Sequence, residues 1–239
     1  MPTRQRGAGG SPAQPFREAL RSGFRPRRVA YSATLGITPV DPEVAAITKA
    51  AAARLAEAGC AVEEAHPDLS EAHECFQVLR ALDFAVSKAA LLREKRALLK
   101  PEVVWNIEQG LKLSVETIER AEGQRVALAR RMLTFFEGYD LLLTPATIVA
   151  PFPIGERYVK ECAGVTFGNY VEWLAIVYAI TLACCPALSL PCGFTAEGLP
   201  VGLQMVAPPR ADARLIAGAA LLEEILGLRG RTPIDPRAA

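Results

Sequence analysis

Residues 186–204, PALSLPCGFTAEGLPVGLQ, restrict what this chain can fold into more than any other stretch. Two apolar runs, Ala187-Leu188-Ser189-Leu190 and Val201-Gly202-Leu203-Gln204-Met205-Val206, flank a segment punctuated by Pro191, Gly193, Gly198 and Pro200. Gly opens backbone angles closed to other residues and Pro fixes its own, so the chain must turn here. Thr195-Ala196-Glu197-Gly198 is polar enough to face solvent at the tip. The expectation is a β-hairpin, followed by an apolar helix opened by Asp212, Leu215 and Ile216.

A second unit lies upstream. Residues 28–32 read as a short strand. Asp41-Pro42 then starts a helix, with Asp as N-cap and Pro at the first helical position. Val44, Ile47, Ala51, Leu55 and Ala58 share one face of it, and Gly59 stops it in a left-handed turn. Residues 60–65 resume as strand. A β-α-β crossover implies parallel strands in one sheet. Parallel unit plus hairpin gives an α/β fold, a partial mixed sheet flanked by helices.

Between these units the pattern is helical. Ser70 is the expected cap of a helix whose buried stripe is Cys75, Leu79, Leu82, Val86 and Ala90, broken by Pro101. Ser114 is the expected cap of another, with Val115, Ile118, Val126, Leu133 and Phe136 as its buried side. Leu141-Leu142-Leu143 is a continuous apolar run, as in a strand covered on both faces. It ends at Thr144-Pro145, and a loop with Pro151, Pro153 and Gly155 follows. Ligands of open α/β sheets gather beyond the carboxyl ends of strands, so this loop is the expected pocket wall. Residues 167–182 read as an apolar helix carrying Trp173 and Tyr178. The organisation read from the chain is a flexible arm over residues 1–26, one α/β unit over 27–229, and a tail over 230–239.

Composition narrows the function. The net charge is +1 over 239 residues, which gives no electrostatic case for nucleic acid or an anionic membrane. No apolar run approaches the roughly 20 residues that span a bilayer. The six cysteines, Cys60, Cys75, Cys162, Cys184, Cys185 and Cys192, follow no zinc-knuckle spacing and read as reduced thiols of a cytoplasmic protein. His66 and His73 have Pro67 between them and no converging acid or thiol, so both read as surface residues and no metal site is expected. No Ser-His-Asp order can be assembled, and no Lys lies in an apolar run that would make it a neutral base. Ser189 sits in an apolar strand with no base beside it, its hydroxyl expected to bond to backbone. Cys192 as a nucleophile is the weakest of the enzymatic readings, lacking a His partner.

The order of these segments resembles the C-terminal half of amidase-signature hydrolases. The resemblance is carried by Tyr139-Asp140-Leu141-Leu142-Leu143-Thr144-Pro145, then residues 151–155, then Tyr170, Trp173 and Tyr178, then PALSLPCGF and Arg210-Ala211-Asp212. It implies hydrolysis of the carbon–nitrogen bond of amides by a Ser–Ser–Lys triad, with backbone N–H groups of a glycine-rich loop as the oxyanion hole. In that family the triad lies in the other half of the domain, and no catalytic residue is assigned here. A chain with this half alone is expected to be inactive until completed by an N-terminal amidase half. The alternative is a non-catalytic binding or assembly module using an exposed sheet face or residual pocket, through that half or through self-association. The resemblance makes Asp212 a candidate substrate contact, its other reading being an N-cap, and Thr144 and Pro145 are candidates from their place at the carboxyl end of the apolar strand. A small amide is the implied substrate, with no cofactor. Cys184 stands where many members carry Gly, and would crowd a close backbone approach.

Overall fold

The computed structural model describes residues 16–228 and Gly230. The expected flexible arm falls partly outside this range. Within it, Phe16–Ala19 forms a short helix (α1) with Ala19 buried. Ser22 Oγ donates to Ala19 O at 2.7 Å. Ala19 and Phe24 lie against the helix Asp212–Leu226, while most of the other residues of 16–25 are exposed.

The β-α-β unit forms as its residues dictate. Strand β1 (Arg28–Tyr31) leads to helix α2 (Pro42–Glu57) and strand β2 (Ala61–Glu64), which pairs with β1 in parallel. Asp41 Oδ1 accepts from the N–H groups of Glu43 and Val44 at 2.9 and 3.1 Å, satisfying donors that the first helical turn leaves free. Gly59 turns at φ +93°, beyond the last helical residues.

Three helices follow: α3 (Ala72–Lys95), α4 (Pro101–Gly110) and α5 (Val115–Phe135). Pro101 opens α4, and Ser114 Oγ accepts from Thr117 N as the N-cap of α5. Ser70 does not cap α3. The N-cap is Glu71, whose side chain makes no capping bond, and the Ser70 N–H donates to Asp68 Oδ1 at 3.0 Å in a tight turn before it.

The buried faces of α3 and α5 also differ from expectation. Ala72, Cys75 and Ala81 are buried on α3, while Val86 is 80% exposed. On α5 the buried residues are Ala121, Leu128 and Met132, whereas Val115 is 77% and Leu133 52% exposed. The buried residues of α3 are small because it packs against both α4 and α5 at close range. A Cβ on Gly110 would lie 2.0 Å from Ala81 O.

Strand β3 (Leu141–Pro145) is wholly buried and pairs in parallel with β1. The Asp140 carboxylate anchors its start, accepting from the N–H groups of Arg27 and Arg28 at 2.7 and 3.2 Å. Two short strands, β4 (Glu161–Cys162) and β5 (Val165–Thr166), make a separate ribbon. Residues 167–182 are not one helix. A 3₁₀ turn at Glu172–Leu174 precedes α6 (Ala175–Leu182), because Asn169 and Glu172 tie residues 168–171 into a turn. Helix α6 is strongly apolar and mostly buried, with Val177 and Thr181 at the surface.

The hairpin is β6 (Ala187–Phe194) and β7 (Pro200–Val206), followed by α7 (Asp212–Leu226). It joins β3 in antiparallel, giving a five-stranded mixed sheet of order β2-β1-β3-β7-β6. A bulge between Pro191 and Gly193 gives β6 one residue more than β7. Helices α2 and α7 cover one face: a Cβ on Gly193 would meet Ile47, and one on Gly218 would meet Leu141. Helix α6 covers the other, where Gln204 Nε2 donates to Ile176 O at 3.3 Å. The sheet is the centre of the core, with Leu141, Leu142, Leu143, Leu203, Met205 and Val206 all at 0% exposure.

Candidate functional site

The site is built where β3 stops. Cross-strand partners share a face, and so do residues two apart along a strand. Thr144 pairs with Gln204, which pairs with Ser189, while Gly202 pairs with Pro191 and binds Ala146 N through its carbonyl at 2.9 Å. These six positions form two rows on the face covered by α6. The exposed part of that face lies on β6, at Ala187, Ser189 and Pro191.

A cavity of about 680 Å³ opens over these rows. Its floor is Ala146, Ser189, Pro191 and Gly202, one wall is Thr147 and Val149 to Phe152 of the loop after β3, and Pro200, Val201 and Trp173 close the rest. The loop is held from outside. Asp41 N donates to Ile148 O at 2.8 Å, the Cys162 thiol donates to the same carbonyl at 3.6 Å, and Thr147 Oγ1 donates to Val149 O at 2.7 Å. Glu172 accepts from Gly168 N and Asn169 Nδ2 at 2.6 and 2.7 Å, which fixes the turn that carries Trp173.

The lining is apolar. Thr147 and Ser189 bring hydroxyls, and no lining residue is charged or is a histidine. Ser189 is exposed to the cavity rather than sitting in a covered strand. The expected pocket wall after β3 is thus in place, whereas Trp173 and the hairpin reach it only through tertiary packing.

The three candidate contacts are not brought together. Thr144 and Pro145 lie directly below Ala146 in β3, beneath the floor and not in the lining. Thr144 is fully buried, and among the described residues its Oγ1 has no hydrogen-bond partner. Asp212 is elsewhere. Strand β7 runs away from the cavity, so the residue beyond its end stands at the opposite end of the sheet, exposed in the first turn of α7. Nor is Asp212 the N-cap; Ala211 holds that place, with Arg210 at φ +66° before it.

Both histidines reach the surface, as expected, His66 being exposed and the His73 side chain 43% exposed. His66 packs over Gly36, where a Cβ would lie 2.6 Å from its ring. His73 Nδ1 is 2.6 Å from the Tyr178 hydroxyl and Nε2 is 3.6 Å from Glu172 Oε1. Burial raises the Tyr178 phenol well above its ordinary value, with the Glu172 charge adding to it. Both histidines brace loops and neither lines the cavity. Cys192 is buried, its thiol pushed up to about 12 by burial, and it donates to Val201 O at 3.4 Å. A thiol so protonated is no nucleophile at neutral pH. Cys184 is exposed with φ +54°, a left-handed backbone that glycine would adopt without strain.

Comparison with known proteins identifies the frame. The family model described as Amidase matches residues 3–216. The chain belongs to the amidase-signature family. This chain is 29% identical over 221 residues to an acylamidase of Rhodococcus erythropolis, covering 91% of itself and 46% of that protein. It is 30% identical over 205 residues to a 2-amino-5-chloromuconic acid deaminase of Comamonas testosteroni, covering 79% of itself and 41% of the relative. Its fold superposes on a bacterial aryl acylamidase of the amidase-signature family with TM-score 0.77 at 24% identity, over 88% of this chain and 46% of that one. The chain thus spans about half the length of the curated relatives it matches. The sequence reading of family and of mixed α/β fold is borne out.

Proposed function

We propose that this chain forms one side of the substrate pocket of an enzyme that hydrolyses the carbon–nitrogen bond of amides, and that the attacking hydroxyl and its base come from residues outside it. The observation that carries the reading is the cavity at the carboxyl end of β3, in an amidase-signature frame, whose lining holds no titratable side chain. Such a lining binds and orients a neutral group but cannot move a proton. Of the three candidate contacts, Thr144 has the best support, since its buried hydroxyl is unsatisfied and lies on the cavity face. The partner is the remaining part of an amidase-type domain. A reducing, cytoplasmic setting agrees with six unpaired cysteines among the described residues, and no helix there is long and apolar enough to cross a membrane.

The test is an amide-hydrolysis assay on a panel of small aryl and aliphatic amides, with the chain alone and with the complementary half of an amidase-signature domain co-expressed. The expected result is turnover only with both parts. Turnover by the chain alone, abolished by one substitution within it, overturns the proposal.

A further inference from the structure

Within the cavity, the Phe152 and Trp173 rings meet edge to face, with centroids 5.9 Å apart and planes at 87°. Phe152 is 37% exposed on the loop after β3. Trp173 is half-buried on the turn that Glu172 fixes. Two rings at right angles leave a notch in which a third ring can stack on one face and meet the edge of the other, the two arrangements aromatic rings prefer. Pro151, Pro191, Pro200 and Val201 extend this apolar surface, and no lining residue supplies a counter-charge. Moving an unpaired ionised group into such a site costs several kcal/mol, far more than an aromatic contact returns. The volume of about 680 Å³ lies within the range of sites for small organic ligands.

We propose that Phe152 and Trp173 are the specificity-determining residues of this cavity, and that they take the aromatic ring of a neutral aryl amide while rejecting carboxylates and short aliphatic amides. The inference rests on the reading of the cavity as an amide pocket and adds the substrate class. Trp173 is the fixed jaw, because its turn is tied at three backbone and side-chain positions. Phe152 is the side chain whose removal opens the notch without touching the core.

The chain has two tryptophans, Trp105 and Trp173, so Trp105→Phe leaves Trp173 as the single reporter. In that background, tryptophan emission is titrated with benzanilide, benzoate and acetamide. The expected result is a saturable change with benzanilide at concentrations at least tenfold below those needed for benzoate or acetamide. Adding Phe152→Ala, at an exposed loop position, raises the benzanilide midpoint at least fivefold with an unchanged melting temperature. Equal response to all three ligands, no saturable response to benzanilide, or no effect of Phe152→Ala overturns the inference. Binding is read without turnover, so this failure is separable from failure of the function. Binding with no hydrolysis in any combination of halves sinks only the assignment of amide hydrolysis, and hydrolysis without aryl selectivity sinks only the aromatic clamp.

Discussion

Replacing Thr144 with Val exchanges a hydroxyl for a methyl of nearly the same shape at the centre of the sheet. The structure gives the hydroxyl no partner among the described residues and no exposure. A buried hydroxyl left unsatisfied costs on the order of 1–3 kcal/mol. Thr and Val are both β-branched, so strand preference hardly changes. Thr144 lies two residues before Ala146 of the open cavity floor, which places the gain at the low end, about 1 kcal/mol in favour of Thr144→Val. For a chain of 239 residues that corresponds to a rise in melting temperature of about 2–4 °C. Urea unfolding followed by circular dichroism measures it directly, and an unchanged slope excludes an altered unfolded state. If the hydroxyl is instead held for a ligand, the same variant loses amide binding as it gains stability. A variant less stable than the parent by 1 kcal/mol or more refutes the reasoning, because it means that the hydroxyl is already bonded within the fold.

Gly110→Ala forces a Cβ to 2.0 Å from Ala81 O, which the α3–α4 crossing must relieve by moving backbone; a loss of about 1–3 kcal/mol is expected in the same unfolding assay. Cys184→Gly removes a left-handed non-glycine residue at φ +54° and is expected to stabilise by about 0.5–1 kcal/mol, net of the greater flexibility of glycine when unfolded. Glu63 is held below its ordinary value of 4.5, first by the hydrogen bond from Arg28 and then by that from Tyr139. Its contribution is therefore present above about pH 4.5 and lost as pH falls through the lowered value, and Glu63→Gln is expected to flatten the acid limb of a stability–pH curve there.

The β-α-β unit was legible because its signals are local. Asp41-Pro42 and Gly59 act within one turn of themselves, and the hairpin is punctuated by its own Gly and Pro. The buried faces of α3 and α5 were not, because each helix carries more than one apolar stripe. On α3 the covered stripe is the one with small residues, Ala72, Cys75 and Ala81, which let neighbouring helices come close, whereas on α5 it is Ala121, Leu128 and Met132; Val86, Val115 and Leu133 stay outside. Asp212 misled for a related reason. An acidic residue before an apolar run suits an N-cap and a first turn equally, and only the backbone at Ala211 separates them. The cavity was half legible: the Pro-rich loop after β3 follows from strand direction, but the meeting of Phe152 with Trp173, 21 residues apart, depends on the turn that Asn169 and Glu172 build.

Three parts of the cavity's frame converge on one place that does not line it, the start of α2. Asp41 N holds Ile148 of the loop, Glu43 Oε1 accepts from Ala196 N at the hairpin tip at 2.6 Å, and Ile47 receives Gly193 just past the bulge. The spare residue in β6 bends the strand so that its tip leans onto this helix. Rim and floor are thereby hinged to a common post, so a change confined to the first turn of α2 would reshape the opening from a distance, without altering a single atom that a ligand touches.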